Sequence, residues 1–77
     1  MATEVRMPKI GLSESDMVLV SWAKSPGDPV KAGETIAVVE GDKLTSDLEA
    51  ASDGILGEHL VQEGEEVKIN TLLTTIN

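Results

Sequence analysis

Residues 38–45, Val-Val-Glu-Gly-Asp-Lys-Leu-Thr, are the stretch of this 77-residue chain that indicates its fold most directly. Strand-forming residues on both sides of a Gly-Asp pair are typical of two antiparallel strands joined by a tight hairpin. Gly41 and Asp42 as loop residues predict a type II′ turn, and in the alternative register Asp42 and Lys43 are the central pair. Both registers place the side chain of Lys43 at the tip of the hairpin.

The segments around this hairpin carry further strand signals. Residues 18–23 and 44–50 show the alternation of a half-buried strand, and shorter apolar runs occupy residues 36–39, 55–56 and 72–76. Glycine, proline and acidic residues punctuate the chain between them at intervals too short for ordinary helices. The pattern predicts an all-β fold of six to eight short strands in a single domain, residues 1–77.

The chain also repeats itself at an offset of 37 residues. The aligned segments are 15–16 with 52–53, 18–19 with 55–56, 27–28 with 64–65 and 30–31 with 67–68, followed by Ile36 with Leu73 and Val39 with Ile76. Neither half could bury its own apolar face, so the two halves are expected to close a small barrel or sandwich around a pseudo-two-fold axis.

The same offset aligns Glu40 with Asn77 and Lys43 with Arg6. The turn of the first half then occupies the place where the second half has the chain ends. We therefore expect Lys43 and the termini at opposite ends of the molecule, an arrangement that suits a domain tethered at one end and working at the other.

Composition excludes several classes of function. Fourteen acidic against six basic residues give a net charge of −8, which repels nucleic acid and anionic membranes and favours partners with basic docking faces. The chain has no cysteine, and hence neither disulfides nor thiolate chemistry. Residues 1–11 carry no signal or transit pattern, so a cytoplasmic protein is expected, and Met1 indicates the N-terminal domain of a longer chain.

Other candidate sites are weaker. His59 is the only histidine, so a catalytic or metal-binding constellation would have to be built around one imidazole. The acidic residues of segment 63–66 are typical of a solvated turn, and Trp22, as the only aromatic residue, is expected to pack in an otherwise aliphatic core. Lys31 and Lys68 occupy equivalent places in the repeat, which indicates duplicated surface structure.

Lys43 is displayed rather than activated. A lysine that acts as a Schiff-base nucleophile needs burial or a cationic neighbour, whereas Glu40, Asp42 and Asp47 place negative charge around this one. Most lysines at hairpin tips are simply solvated, so the position alone does not define a function.

Larger motifs give the lysine a context: MPKIG at 7–11, Trp22, PGDPVKAG at 26–33, VEGDK at 39–43 and AASDGIL at 50–56. Together they span almost the whole chain and resemble the lipoyl domains of 2-oxo acid dehydrogenase complexes. The resemblance implies a flattened barrel of two four-stranded antiparallel sheets, related by a two-fold axis, with lipoate attached covalently to Lys43.

The resemblance also implies a recognition turn made of Glu40, Gly41, Asp42 and Leu44, and a set of partners. These are a lipoate-protein ligase or lipoyl transferase, a thiamine-diphosphate-dependent decarboxylase, an acyltransferase core and dihydrolipoyl dehydrogenase. The domain, expected to be a monomer, would do no chemistry itself and would be part of a dihydrolipoyllysine acyltransferase chain.

Two positions depart from the family pattern. Gly41 stands where Thr or Ser is usual, which could loosen the turn, and Leu44 stands where Ala is common, which could alter how partners recognise the tip. Two alternatives remain open. One is a biotinyl domain of a carboxylase, which usually has Met on both sides of its lysine. The other is an unmodified acidic interaction module.

We predict that Lys43→Ala changes the free energy of unfolding by no more than about 0.5 kcal/mol, since an exposed turn residue makes few contacts. Urea unfolding followed by circular dichroism measures this change. A substantially larger loss of stability would show that the lysine has a structural role.

Overall fold

The computed structural model describes residues 2–12 and 17–77, in which eight β-strands confirm the predicted all-β fold. The strands are β1 (Thr3–Arg6), β2 (Met17–Trp22), β3 (Pro29–Val30), β4 (Thr35–Gly41), β5 (Leu44–Glu49), β6 (Gly54–Ile55), β7 (Glu66–Val67) and β8 (Leu72–Ile76). Within those described ranges, no helix is long and apolar enough to cross a membrane.

The strands pair antiparallel in one four-stranded sheet, of order β5-β4-β2-β7, and in two ladders, β1-β8 and β3-β6. The expected second four-stranded sheet is therefore not continuous. Strands β3 and β6 contain only two residues each. The two ladders are joined by one bridge between Leu56 and Ile76 and by reciprocal backbone hydrogen bonds between Ile55 and Asn77.

Strand register reproduces the internal repeat. Moving each residue by 37 positions converts three residue pairs of the four-stranded sheet into three pairs that lie in the β3-β6 ladder and the bridge between the ladders. They are Met17↔Val67 with Gly54↔Val30, Val18↔Glu66 with Ile55↔Pro29, and Leu19↔Val39 with Leu56↔Ile76. The short strands β3 and β7 thus exchange sheets, each lying beside a strand of the other half. This exchange confirms the pseudo-two-fold arrangement predicted from the sequence.

The first strand follows a different offset. Val38 pairs with Asp47, and its counterpart Thr75 pairs with Glu4, so β1 corresponds to β5 at an offset of 43. The alignment of Lys43 with Arg6 is therefore wrong, because Arg6 corresponds to Glu49. The reason is a longer connection in the first half: Met17 follows Arg6 by 11 positions, whereas Gly54 follows Glu49 by five.

Among the described residues, the turn that carries Lys43 has no counterpart in the other half. The aligned segment 15–16 of the repeat lies outside the described residues.

Two aliphatic clusters fill the interior and define two ends of the molecule. The lysine-end core contains Met7, Ile10, Met17, Leu19, Ala37, Val39, Val61 and Leu73. The termini-end core contains Val5, Val30, Ile36, Ala50, Leu56 and Ile76, of which Leu56 and Ile76 are the counterparts of Leu19 and Val39. Strand β4 contributes Ile36 to the termini-end core near its start and Val39 to the lysine-end core before it reaches the turn. At about 3.3 Å per residue, its seven residues separate the Lys43 turn from the paired β1 and β8 termini by roughly 20 Å.

Little space remains where β6 passes the end of β8. A Cβ atom on Gly54 would lie 2.6 Å from the backbone oxygen of Asn77 and 2.8 Å from Ile76 Cγ2. Such a clash with the backbone cannot be relieved by moving a side chain. Gly54 is therefore required by the close approach of the two ladders.

We predict that Gly54→Ala lowers the free energy of unfolding by roughly 2 kcal/mol, because it overpacks this junction. Urea unfolding monitored by Trp22 fluorescence measures the loss. The control is Ile55→Ala at the exposed neighbouring position, where a change within about 0.5 kcal/mol is expected. Equal stabilities of the two variants would contradict the close approach.

Candidate functional site

Asp42 and Lys43 are the two central residues of the turn between β4 and β5. Gly41 pairs with Leu44 immediately before and after them. Both central residues have left-handed backbones, with φ of 49° for Asp42 and 64° for Lys43. Positive φ at both positions characterises the type I′ turn, whose twist matches that of the flanking strands. The register with Asp42 and Lys43 at the centre is thus correct, and the type II′ turn over Gly41 and Asp42 is wrong.

Gly41 is a buried strand residue beneath the turn. A Cβ atom on it would lie 2.8 Å from Met17 Cγ and 3.0 Å from Ile10 Cβ. The glycine is therefore needed because the β4 backbone approaches these two core side chains closely. Gly41 therefore does not loosen the turn, because it lets the base of the turn pack directly against the lysine-end core.

Asp42 lies against the segment that follows β1. The backbone N–H of Leu12 donates to Asp42 Oδ2 at 3.4 Å. Gly11 packs so closely that a Cβ atom on it would lie 2.9 Å from Asp42 Cβ. The sequence indicated Asp42 as a recognition residue, but it did not indicate this contact, because residues 30 positions apart carry no shared local pattern.

Lys43 extends into solvent from the centre of the turn. Its side chain is exposed, and within the described residues no carboxylate lies at ion-pair distance from its Nζ atom. Glu40 and Leu44 are also exposed, and Leu44 retains 54% of its accessible surface. All five residues indicated by the sequence therefore lie together at one end of the molecule, and four of them present side chains to solvent.

The other lysines occupy different surroundings. Lys24 Nζ pairs with Glu34 Oε2 at 3.1 Å, and this hydrogen bond, with a second from the backbone N–H of Lys31, lowers the pKa of the Glu34 carboxyl. Lys31 and Lys68 lie at corresponding places after β3 and β7, as the repeat predicted. Exposure alone does not distinguish Lys43 from Lys31 or Lys68. Lys43 differs from both in its place at the centre of a two-residue hairpin turn.

A shallow cleft of about 520 Å³ lies at the end of β2, lined in part by Trp22, His59 and Glu63. Several polar atoms of these residues already have hydrogen-bond partners. Trp22 Nε1 donates to the Val61 oxygen at 3.0 Å, Trp22 N donates to Glu63 Oε2 at 2.9 Å, and His59 Nε2 bonds the Lys24 oxygen at 2.8 Å. The rings of Trp22 and His59 stack with centroids 3.9 Å apart. These contacts give both residues a structural role.

The acidic segment 63–66 also serves the backbone. Glu65 Oε1 accepts the N–H of Gln62 at 3.0 Å, as Glu63 accepts that of Trp22. Across residues 2–12 and 17–77, no group of three potential ligands is arranged to hold a metal ion. The exposed lysine turn is accordingly the candidate site that the fold supports best.

The sequence is similar to known proteins along nearly its whole length. Residues 3–76 match the family model Biotin_lipoyl, described as "Biotin-requiring enzyme". Over 99% of its length, the chain is 40% identical to the dihydrolipoyllysine-residue acetyltransferase component of the acetoin cleaving system of Bacillus subtilis. Over 99% it is 36% identical to the pyruvate dehydrogenase E1 component subunit beta of Rhizobium meliloti. The chain spans 19% and 17% of these two relatives, respectively.

A solved structure shares the fold. The lipoyl domain of the 2-oxoglutarate dehydrogenase complex from Azotobacter vinelandii superimposes with a TM-score of 0.77, over 95% of each chain and at 29% sequence identity. The likeness therefore extends over nearly the whole chain.

We predict that Gly41→Thr lowers the free energy of unfolding by about 1–3 kcal/mol, because the new side chain overpacks Met17 and Ile10. Urea unfolding measures the change, with Ser46→Thr on the exposed part of β5 as the matched control, expected within about 0.5 kcal/mol. A Gly41→Thr variant as stable as the control would show that the lysine-end core has room for the side chain.

Proposed function

Because this chain belongs to the Biotin_lipoyl family and is a lipoyl domain like those of dihydrolipoyl acyltransferase components of 2-oxo acid and acetoin dehydrogenase complexes, we propose that it carries lipoate on Lys43. The observation that carries the proposal is the place of Lys43 at the exposed centre of the type I′ turn. Asp42 precedes it, and Glu40, Gly41 and Leu44 complete the recognition turn.

The residues at the tip fit covalent attachment. Acylation of a lysine replaces an N–H bond of the neutral amine by an amide bond to the carboxyl carbon of lipoate. The amine loses a proton, and the group that activates the lipoate carboxyl leaves. Such a reaction needs an amine that a second protein can reach. The exposed Lys43 side chain meets this need, whereas Lys24 is held by its ion pair with Glu34.

The two-residue turn also limits how freely the attachment point moves. Strand pairing holds Gly41 and Leu44 on both sides, and Asp42 rests on Gly11 and Leu12. The base of the arm is thus fixed, while the arm beyond it remains free. A swinging arm benefits from this division, because its reach is then centred on a defined point.

The attached dithiolane supplies acyl and electron transfer, and the protein supplies its placement. In the proposed cycle the domain visits a thiamine-diphosphate-dependent decarboxylase, an acyltransferase core and dihydrolipoyl dehydrogenase. Because the chain spans only a small part of the length of its relatives, these partners and the acyltransferase activity belong to the proposal. The separation of Lys43 from the paired termini lets the tether leave from the end opposite the arm.

We predict that incubation with a lipoate-protein ligase, ATP and lipoate adds one lipoyl group per chain, as measured by intact mass spectrometry. Lys43→Arg should abolish the addition because it retains the charge but removes the acceptor amine, and the matched control Lys31→Arg should be modified as the unaltered chain is. An unmodified chain, a chain that takes biotin from a biotin ligase instead, or a modified Lys43→Arg variant would each contradict the proposal.

A further inference from the structure

The outer face of the four-stranded sheet carries an apolar stripe. Val18 pairs with the exposed residues Glu40 and Glu66, whereas the next residue, Leu19, is buried and pairs with buried Val39. Since successive residues of a strand point to opposite faces, Val18 points outward. A β-bulge after Leu19 adds Val20, which keeps 41% of its accessible surface. A partly exposed apolar stripe, in which Val18 is half-buried and Val20 is exposed, therefore crosses the centre of this face beside Ser21, which pairs with Val38.

Val38 completes the stripe, and carboxylates surround it. Val38 pairs with Asp47 on β5, and Glu40 and Glu66 flank Val18, all three acidic residues being exposed. We call Val18, Val20, Val38, Glu40, Asp47 and Glu66 the valine face. In the described part of the chain, the two ion pairs are Arg6 with Glu4 and Lys24 with Glu34, and neither involves a residue of this face.

The internal two-fold provides a comparison within the same molecule. The corresponding positions on the other side are occupied by Ile55, Gly57, Thr75, Asn77, Glu4 and Pro29. Only one of these carries a charge, and Glu4 is paired with Arg6 at 2.9 Å. Because both faces serve the same fold, structural needs alone do not explain why one of them combines three valines with three carboxylates that have no ion-pair partner among residues 2–12 and 17–77.

The valine face also adjoins the lysine turn. Glu40 is the residue before Gly41, and Gly41 pairs with Leu44 at the base of the turn that carries Lys43. A typical specific protein interface covers about 800 Å² on each partner, far more than a two-residue turn provides on a molecule with 4531 Å² of accessible surface. An enzyme that acts on the Lys43 amine itself must therefore cover neighbouring surface as well.

We propose that the valine face is the docking surface for the enzyme that attaches lipoate to Lys43, an inference that rests on the proposed function. The fitting partner surface presents an apolar side chain surrounded by lysine or arginine residues. A second copy of this chain does not fit, because two valine faces would bring like charges together. The attachment enzyme acts on the Lys43 amine at the base of the arm, so it must approach the surface beside the turn.

The test is the steady-state rate of attachment by a lipoate-protein ligase, measured for the double variant Val20→Ser/Asp47→Lys. Its matched control is Ile55→Ser/Glu58→Lys on the opposite side, where Ile55 is 46% exposed and Glu58 is exposed. The charge change is the same in both variants. Circular dichroism and sedimentation velocity check that both fold and show whether either associates.

We expect the KM for the valine-face variant to rise at least about fivefold with kcat unchanged, because truncating interface anchors and reversing rim charges weakens association. Added salt should raise the KM of the unaltered chain more steeply than that of the variant. The control should change KM by less than about twofold.

Equal KM values for the two variants, or self-association of the unaltered chain through this face, would overturn the docking proposal. Failure of the unaltered chain to accept lipoate would instead contradict the proposed function.

Discussion

The exchange of short strands between the two halves is the constraint on which the structure depends. β7 of the second half pairs with β2, and β3 of the first half pairs with β6, so neither half completes its sheet alone. With Trp22 as the only aromatic residue, the core relies on aliphatic side chains from both halves. Burial of these side chains across the two-fold supplies the main stabilisation.

The same constraint positions the functional end. Because β4 belongs to both cores, its far end is held where Gly41 meets Met17 and Ile10. The turn that follows has no counterpart in the described part of the other half. A symmetric scaffold thus produces one asymmetric point, and the family relationship gives that point its proposed cargo.

The sequence predicted the features that depend on local pattern and on the repeat. Strand alternation and apolar runs predicted β2, β4, β5, β6 and β8, but not β1 or the two-residue strands β3 and β7, and the offset of 37 predicted that Leu19 and Leu56 occupy equivalent places. It did not predict the offset of 43 for β1, because the longer connection before Met17 shifts the alignment. The sequence also left the turn register open, since either Gly41 and Asp42 or Asp42 and Lys43 could be the central pair. The pairing of Gly41 with Leu44 and the positive φ values of Asp42 and Lys43 decide between them.

In the proposed function, recognition by partners depends on both the tip and the surface beside it. Leu44 and Asp42 distinguish the turn, and the valine face distinguishes one side of the barrel from its symmetry mate. The central claim remains that Lys43 is the lipoyl acceptor. Its most direct test is peptide fragmentation mass spectrometry of the protein isolated from the cells that produce it. A lipoyl group on the peptide containing Lys43 is expected, and an unmodified Lys43 or a lipoyl group on another lysine would contradict the claim.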